Sequence, residues 1–177
     1  MQNKKYELLD NDTVTTWDGR TLKRIRALVA IGSLVAAGEL GGYIESEDNL
    51  SQVSGNAWVS GNAQVYGNAR VSGNARVSGD AQVYGDAQVS GDAQVYGDAR
   101  VEQRRDIFWM SIIGSENGTY TAFKNKDGGV SVNRGCFNGT LEQFVDAVNE
   151  RHTGQFHQEY QLVIELTKVR LGVGEAV

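Results

Sequence analysis

A chain of 177 residues, 40% apolar and 22% charged, suits one domain or two small ones and is too apolar to be disordered. Its net charge of −5 is spread evenly: six basic against eight acidic side chains in residues 1–52, three against four in 53–100, and eight against ten in 101–177. No basic tail offers itself to duplex nucleic acid, the single cysteine Cys136 excludes an internal disulfide, and "MQNKKYELLD" lacks an apolar signal region. A soluble protein of a reducing cytoplasm is expected, with neither a membrane nor a large nucleic acid as partner.

Residues 1–52 predict a small N-terminal β cap. The runs "TVTTW", "LKRIRAL" and "YIE" read as strands, and "DGR" (Asp18 to Arg20) as a turn. In "TLKRIRAL", strand alternation puts Leu22, Arg24, Arg26 and Leu28 on one face. Two arginines about 7 Å apart on a strand make an anion cradle if they face a crevice, and ion pairs if Glu39, Glu45 or Glu47 lies beside them. The apolar stretch "ALVAIGSLVAAG" is interrupted by Gly32, Ser33 and Gly38 and is too short to span a bilayer.

From Val53 to Arg100 the chain repeats eight hexads of the form Val-(Ser/Tyr)-Gly-(Asn/Asp)-Ala-X, and residues 53–101 form the second unit. In an extended strand, the Ala of one hexad and the Val of the next lie two residues apart and face the same side. Gly and Asn/Asp supply a corner because they tolerate positive φ. Each hexad therefore gives one short strand and one turn. With three hexads per coil, residues i and i+18 stack about 4.8 Å apart. Burying little more than one Val and one Ala per hexad does not offset the ordering of six residues, so capped ends and partner subunits are expected.

The same register predicts corner ladders: Asn56, Asn74 and Asp92; Asn62, Asp80 and Asp98; Asn68 and Asp86. Outward-facing corners suit turn residues better than a metal, which needs converging carboxylates, and no metal or other cofactor is expected. On the outer faces the spacing puts Trp58 one coil from Arg76 and Tyr66 one coil from Tyr84 with Arg70 nearby, and gives the third face Tyr96 and Arg100. Tyr and Arg on a flat sheet stack planar rings and meet phosphates, and they also populate subunit interfaces. Both roles stay open, and a trimer would let them coincide in one crevice.

Residues 102–177 predict an α+β domain of three strands and two helices. After "DIFWMSIIG" comes a hairpin in "GTYTAFKNKDGGVSVN" turning at Asp127, Gly128 and Gly129. Thr140 with Gln143 makes a capping box, Leu141, Phe144, Val145 and Val148 form an apolar stripe, and Gly154 reads as the stop. Phe156, Tyr160, Val163, Ile164 and Thr167 share one face of a second helix, although "YQLVIEL" also reads as a strand. Cys136 in "RGCFNGT" has no His fixed beside it and reads as a small core residue rather than a nucleophile. Asn117-Gly-Thr119 and Asn138-Gly-Thr140 read as turns and a cap rather than glycosylation sites.

The hexads resemble those of left-handed β-helices, and the resemblance extends to hexapeptide-repeat acyltransferases and γ-type carbonic anhydrases, which are typically trimers with sites between prisms. Those enzymes use histidine as base or zinc ligand, whereas His152 and His157 lie beyond the hexads. The run "TLKRIRALVAIGSLVAAGELGGYIESEDNLSQ", then hexads, then "GCFNGTLEQF" resembles a phage and prophage family of hexapeptide-repeat proteins labelled transferases on the repeats alone.

The expected architecture is thus mainly β: a short left-handed parallel β-helix with an N-terminal β cap and a C-terminal α+β domain. The expected function is non-enzymatic: a homotrimer in the cytoplasm of an infected bacterial host that binds and sequesters a nucleotide-like second messenger. Arg24, Arg26, Tyr66, Tyr84, Tyr96, Arg70, Arg76 and Arg100 are the candidate ligand contacts. An acyltransferase and a purely structural assembly module are the alternatives.

Overall fold

The computed structural model describes residues 3–53 and 55–174. Eight two-residue strands climb in a three-sided coil: β4 (Trp58–Val59), β5 (Gln64–Val65), β6 (Arg70–Val71), β7 (Arg76–Val77), β8 (Gln82–Val83), β9 (Gln88–Val89), β10 (Gln94–Val95) and β11 (Arg100–Val101). Parallel pairing joins residues 18 apart, as in Gln64 with Gln82 and Gln82 with Arg100. Face one carries β5-β8-β11, face two β4-β7-β10 and face three β6-β9. The fold is a parallel β-solenoid of about three turns.

Its interior is as narrow as the hexad implies. Ala57, Val59, Ala63, Val65 and their successors to Val101 are sealed from solvent. The corner glycines from Gly55 to Gly97 have φ between +60° and +72°, a region that costs other L-residues strain. They also pack closely: a Cβ on Gly79 would lie 2.8 Å from the backbone nitrogen of Gly97. The predicted ladders form, with the amides of Asn62, Asn68 and Asn74 donating to Asp80, Asp86 and Asp92 at 3.3, 3.1 and 3.2 Å.

Three antiparallel strands close the N-terminal end: β1 (Tyr6–Thr15), β2 (Thr21–Ala27) and β3 (Leu40–Ile44), the last pairing parallel with β5. Tyr6, Ile25, Ile44 and Leu50 plug the prism beside Trp58. β1 starts earlier than "TVTTW" suggests, because the pairing of β1 with β2 skips from Leu9 to Thr13 and passes the polar Asp10-Asn11-Asp12 segment as an irregularity. Side-chain amides finish the end where no strand continues. Asn49 donates to the carbonyls of Gly67 and Ala69 at 3.1 and 2.9 Å, and Gln52 bonds the backbone of Tyr6 in both directions.

Beyond the prism lies an antiparallel sheet of β12 (Ile107–Ile113), β13 (Gly118–Lys124), β14 (Val130–Arg134) and β15 (Phe137–Thr140), followed by α1 (Leu141–Arg151) and α2 (Gly154–Leu171). The sheet has four strands rather than three: "FNGT" is too short and polar to show a period, yet it pairs back onto β14 across Gly135. Thr140 and Gln143 form the expected reciprocal cap, at 3.2 and 2.9 Å. α1 ends at Arg151, and Gly154 opens α2 instead of stopping α1. Tyr160, Val163, Ile164 and Thr167 are buried as expected of a helix face, but Phe156 is 39% exposed at the helix start. Ile107 and Phe123 join the prism core and cap its far end. Among the described residues no helix is long and apolar enough to cross a membrane.

Candidate functional site

The faces of the solenoid regroup the outward side chains. Each corner falls at Gly-Asn/Asp, so a strand side runs from Ala through X and Val to the next Ser or Tyr, and X belongs with the residues after it. Face one therefore carries Gln64 with Tyr66, Gln82 with Tyr84, and Arg100 with Glu102. Face two carries Trp58, Arg76 and Gln94 in one row and Tyr96 beyond it. Face three carries Arg70 and Gln88. Arg70 is thus not on the tyrosine face, and Tyr96 and Arg100 do not share one; both expectations followed from cutting the hexad at Val instead of at the corner.

On face one, Arg24 and Arg26 are engaged by acids, though not the glutamates their sequence neighbourhood offers. Arg24 Nε lies 2.7 Å from Asp12, an Nη donates to the Gly41 carbonyl at 2.8 Å, and the guanidinium sits 4.4 Å over the Tyr43 ring. Arg26 Nε donates to Glu7 at 2.8 Å. Glu45 and Glu47 hold Arg20 and Lys4 instead. Tyr66 is 2% exposed beneath Leu22 and Tyr43, and burial raises its phenol pKa and that of its stacking partner Tyr84.

On face two, Trp58, Arg76 and Tyr96 line a groove of about 350 Å³ closed on its other side by Asn133 and Asn138 of β14 and β15. The Trp58 ring turns into the prism end, edge-on to Tyr6 at 6.4 Å, and its indole N–H finds no partner among the described residues. Tyr96 packs edge-on against Phe123 at 6.2 Å.

Face three carries the most basic arrangement. Two depressions of about 660 and 260 Å³ meet at Gln88 and Arg104. Arg70 comes from β6, Arg104 from the 3₁₀ turn Arg104–Asp106 that follows β11, and Arg170 from the last turn of α2. Among the described residues none of the three has an ion-pair partner, and the Arg170 Nε is buried without a hydrogen bond. Phe108 and Trp109, consecutive on β12, both border the smaller depression, Phe108 packing towards the C-terminal core and Trp109 towards the prism, while Asp48 and Asp86 line the larger one. Arg104, Arg170, Phe108 and Trp109 escaped the sequence reading. The adjacent cations of "EQRRD", directly after the last hexad, were the local signal for Arg104; nothing local signals Arg170, which arrives from 66 residues further on.

The histidines occupy other ground. His152 caps α1 with its ring 5.0 Å from Tyr160, and His157 bonds Asn149 at 2.9 Å from α2. Cys136 is exposed at the turn between β14 and β15, not in a core.

Residues 51–67, 63–79, 69–85 and 93–105 match the family described as YdcK Beta solenoid repeat. No curated protein matches the chain. The matched spans fall on the coil, so the repeat match and the strand pairing agree on a repeat β-helix.

Proposed function

We propose that the protein is a non-enzymatic, homotrimeric binding protein that holds a nucleotide-like, phosphate-bearing small molecule in the face-three groove, as a phage-encoded sponge for an immune second messenger would. The observation that carries this reading is the convergence of Arg70, Arg104 and Arg170, without ion-pair partners among the described residues, beside Phe108 and Trp109. Guanidinium groups bond phosphate oxygens with charge assistance, and an aromatic side chain bordering the same depression accepts a base by stacking. Arg24 and Arg26 have acids in hand, so the proposal moves from their face to this one. An acyltransferase would need a general base against the acceptor, and both histidines stand on the C-terminal unit away from the groove lining.

The test is mass spectrometry of small molecules released by heat from protein incubated with extracts of infected cells. Calorimetry against cyclic dinucleotides, cyclic oligonucleotides and cyclic ADP-ribose forms runs alongside an acetyl-CoA turnover assay. Intact nucleotide recovered at stoichiometric yield supports the reading. Acyl transfer without nucleotide binding overturns it in favour of the enzyme, and neither activity leaves an assembly module. Light scattering at about three times the 19.3 kDa chain mass supports the trimer, and a stable monomer removes it.

A further inference from the structure

The C-terminal unit holds a separate cavity of about 240 Å³ between the β14–β15 turn, α1 and the start of α2. Arg134 enters it from β14 with a side chain only 9% exposed. One Nη donates to the Ile113 carbonyl at 3.1 Å, and the Nε is buried with no partner among the described residues. Among the described residues its ion-pair partner is Glu116, which stands 3.8 Å from the other Nη, beyond hydrogen-bond range, and is 81% exposed. The backbone makes room for this cation: a Cβ on Gly118 would lie 2.6 Å from the Arg134 Nη1. A guanidinium keeps its charge when buried, and an under-compensated buried charge is costly.

The rest of the lining says what would compensate it. Arg151 adds a second guanidinium at the rim beside His152, while Phe144, Val148 and Tyr160 make an apolar floor. The volume lies below the usual range for drug-sized ligands, roughly 300–1,000 Å³, so a nucleotide does not fit where a single ring does. Carboxylates match the planar guanidinium. We propose that this cavity binds a small aromatic carboxylate, whose charged end displaces Glu116 from Arg134 and whose ring lies on Phe144 and Tyr160. The site shares no lining residue with the face-three groove and stands whether or not that groove takes a nucleotide.

The experiment titrates the full chain with benzoate, followed by backbone amide NMR shifts, with benzamide as the uncharged control. Benzoate is expected to shift residues of α1 and the β14–β15 turn, benzamide to bind at least about tenfold more weakly, and Arg151→Gln to weaken benzoate about tenfold, as loss of one charge-assisted contact implies. Glu116→Gln, which removes the internal competitor, is expected to tighten binding. Arg134→Met should abolish binding; should it fail to fold, the exposed Arg151 and Glu116 variants decide alone. Equal binding of benzoate and benzamide, indifference to Arg151→Gln and Glu116→Gln, or no shifts in the cavity overturns the site. Prior saturation with a cyclic dinucleotide should leave the benzoate titration unchanged, which separates this result from that of the groove.

Discussion

The rings of Tyr66 and Tyr84 lie one coil apart on face one, 5.2 Å between centroids and 8° from parallel. The stack uses one surface of each ring, and Leu22 and Tyr43 cover Tyr66 from the side. Little aromatic surface is left there for a nucleobase. That role passes to Phe108 and Trp109, which line an open depression beside arginines.

Affinity should follow the same division. Arg70→Ala and Arg104→Ala are each expected to weaken nucleotide binding about ten- to a hundredfold, from contacts worth about 1.5–3 kcal/mol. Arg24→Ala should leave the affinity unchanged and lower thermal stability instead, since it removes the guanidinium that bonds the Gly41 carbonyl and leaves Asp12 with the Tyr43 hydroxyl at 3.2 Å. Calorimetry and thermal melts of the three variants distinguish the faces. An Arg24 variant that loses binding while keeping its melting temperature would return the site to face one.

Corner packing predicts a contrast between two glycines with the same φ of +70°, Gly79 and Gly97. Alanine at either position carries the strain of the left-handed region, about 1–2 kcal/mol. Only at Gly79 does the new methyl also meet the next coil, 2.8 Å from Gly97 N; at Gly97 nothing lies within 4 Å. Denaturant unfolding should therefore show Gly79→Ala as clearly less stable than Gly97→Ala, and equal losses would contradict the stacking.

Each ladder has one step at which an amide donates to a carboxylate on the next coil. Asn74→Asp places a second carboxylate where an amide now donates to Asp92 at 3.2 Å. Like charges directly opposite in a sheet are destabilising, by up to about 1 kcal/mol. The loss should appear in melts at pH 7 in low salt and shrink at high salt.

Alkali should act through Tyr120. Burial pushes its phenol up to about 12 from an ordinary 10.0, against the smaller opposing effect of its bond to Thr167 at 2.8 Å. The folded state thus holds the proton more tightly than the unfolded state. Its contribution is complete below pH 10 and disappears as pH rises from 10 towards 12. Urea unfolding across that window should show falling stability, and Tyr120→Phe should flatten the fall.

The prism was legible because every hexad obeys the same local rules: alternation set the core, glycine set the corner, and the 18-residue stack gave Asn62 its partner Asp80. What stayed hidden depends on side chains from distant segments. Alternation grouped Arg24 with Arg26 correctly, yet the acids that engage them, Asp12 and Glu7, come from β1, whose start the polar Asp10–Asp12 segment disguised. The face-three groove needs the α2 docking that delivers Arg170 beside Arg104, and no period in the sequence encodes that meeting. "FNGT" became a strand only because β14 offers it an edge.

Both ends of the coil are tied to particular sides of the prism: β3 hands over to β5 on face one, and Lys126 bonds the carbonyl of Asp98 at the far corner. Adding or deleting a single hexad would therefore swing one terminal unit a third of a revolution about the axis and present it to the wrong side. With both terminal units kept on their sides, such a protein can change its length only in steps of eighteen residues, whole revolutions, even though the repeating unit is six.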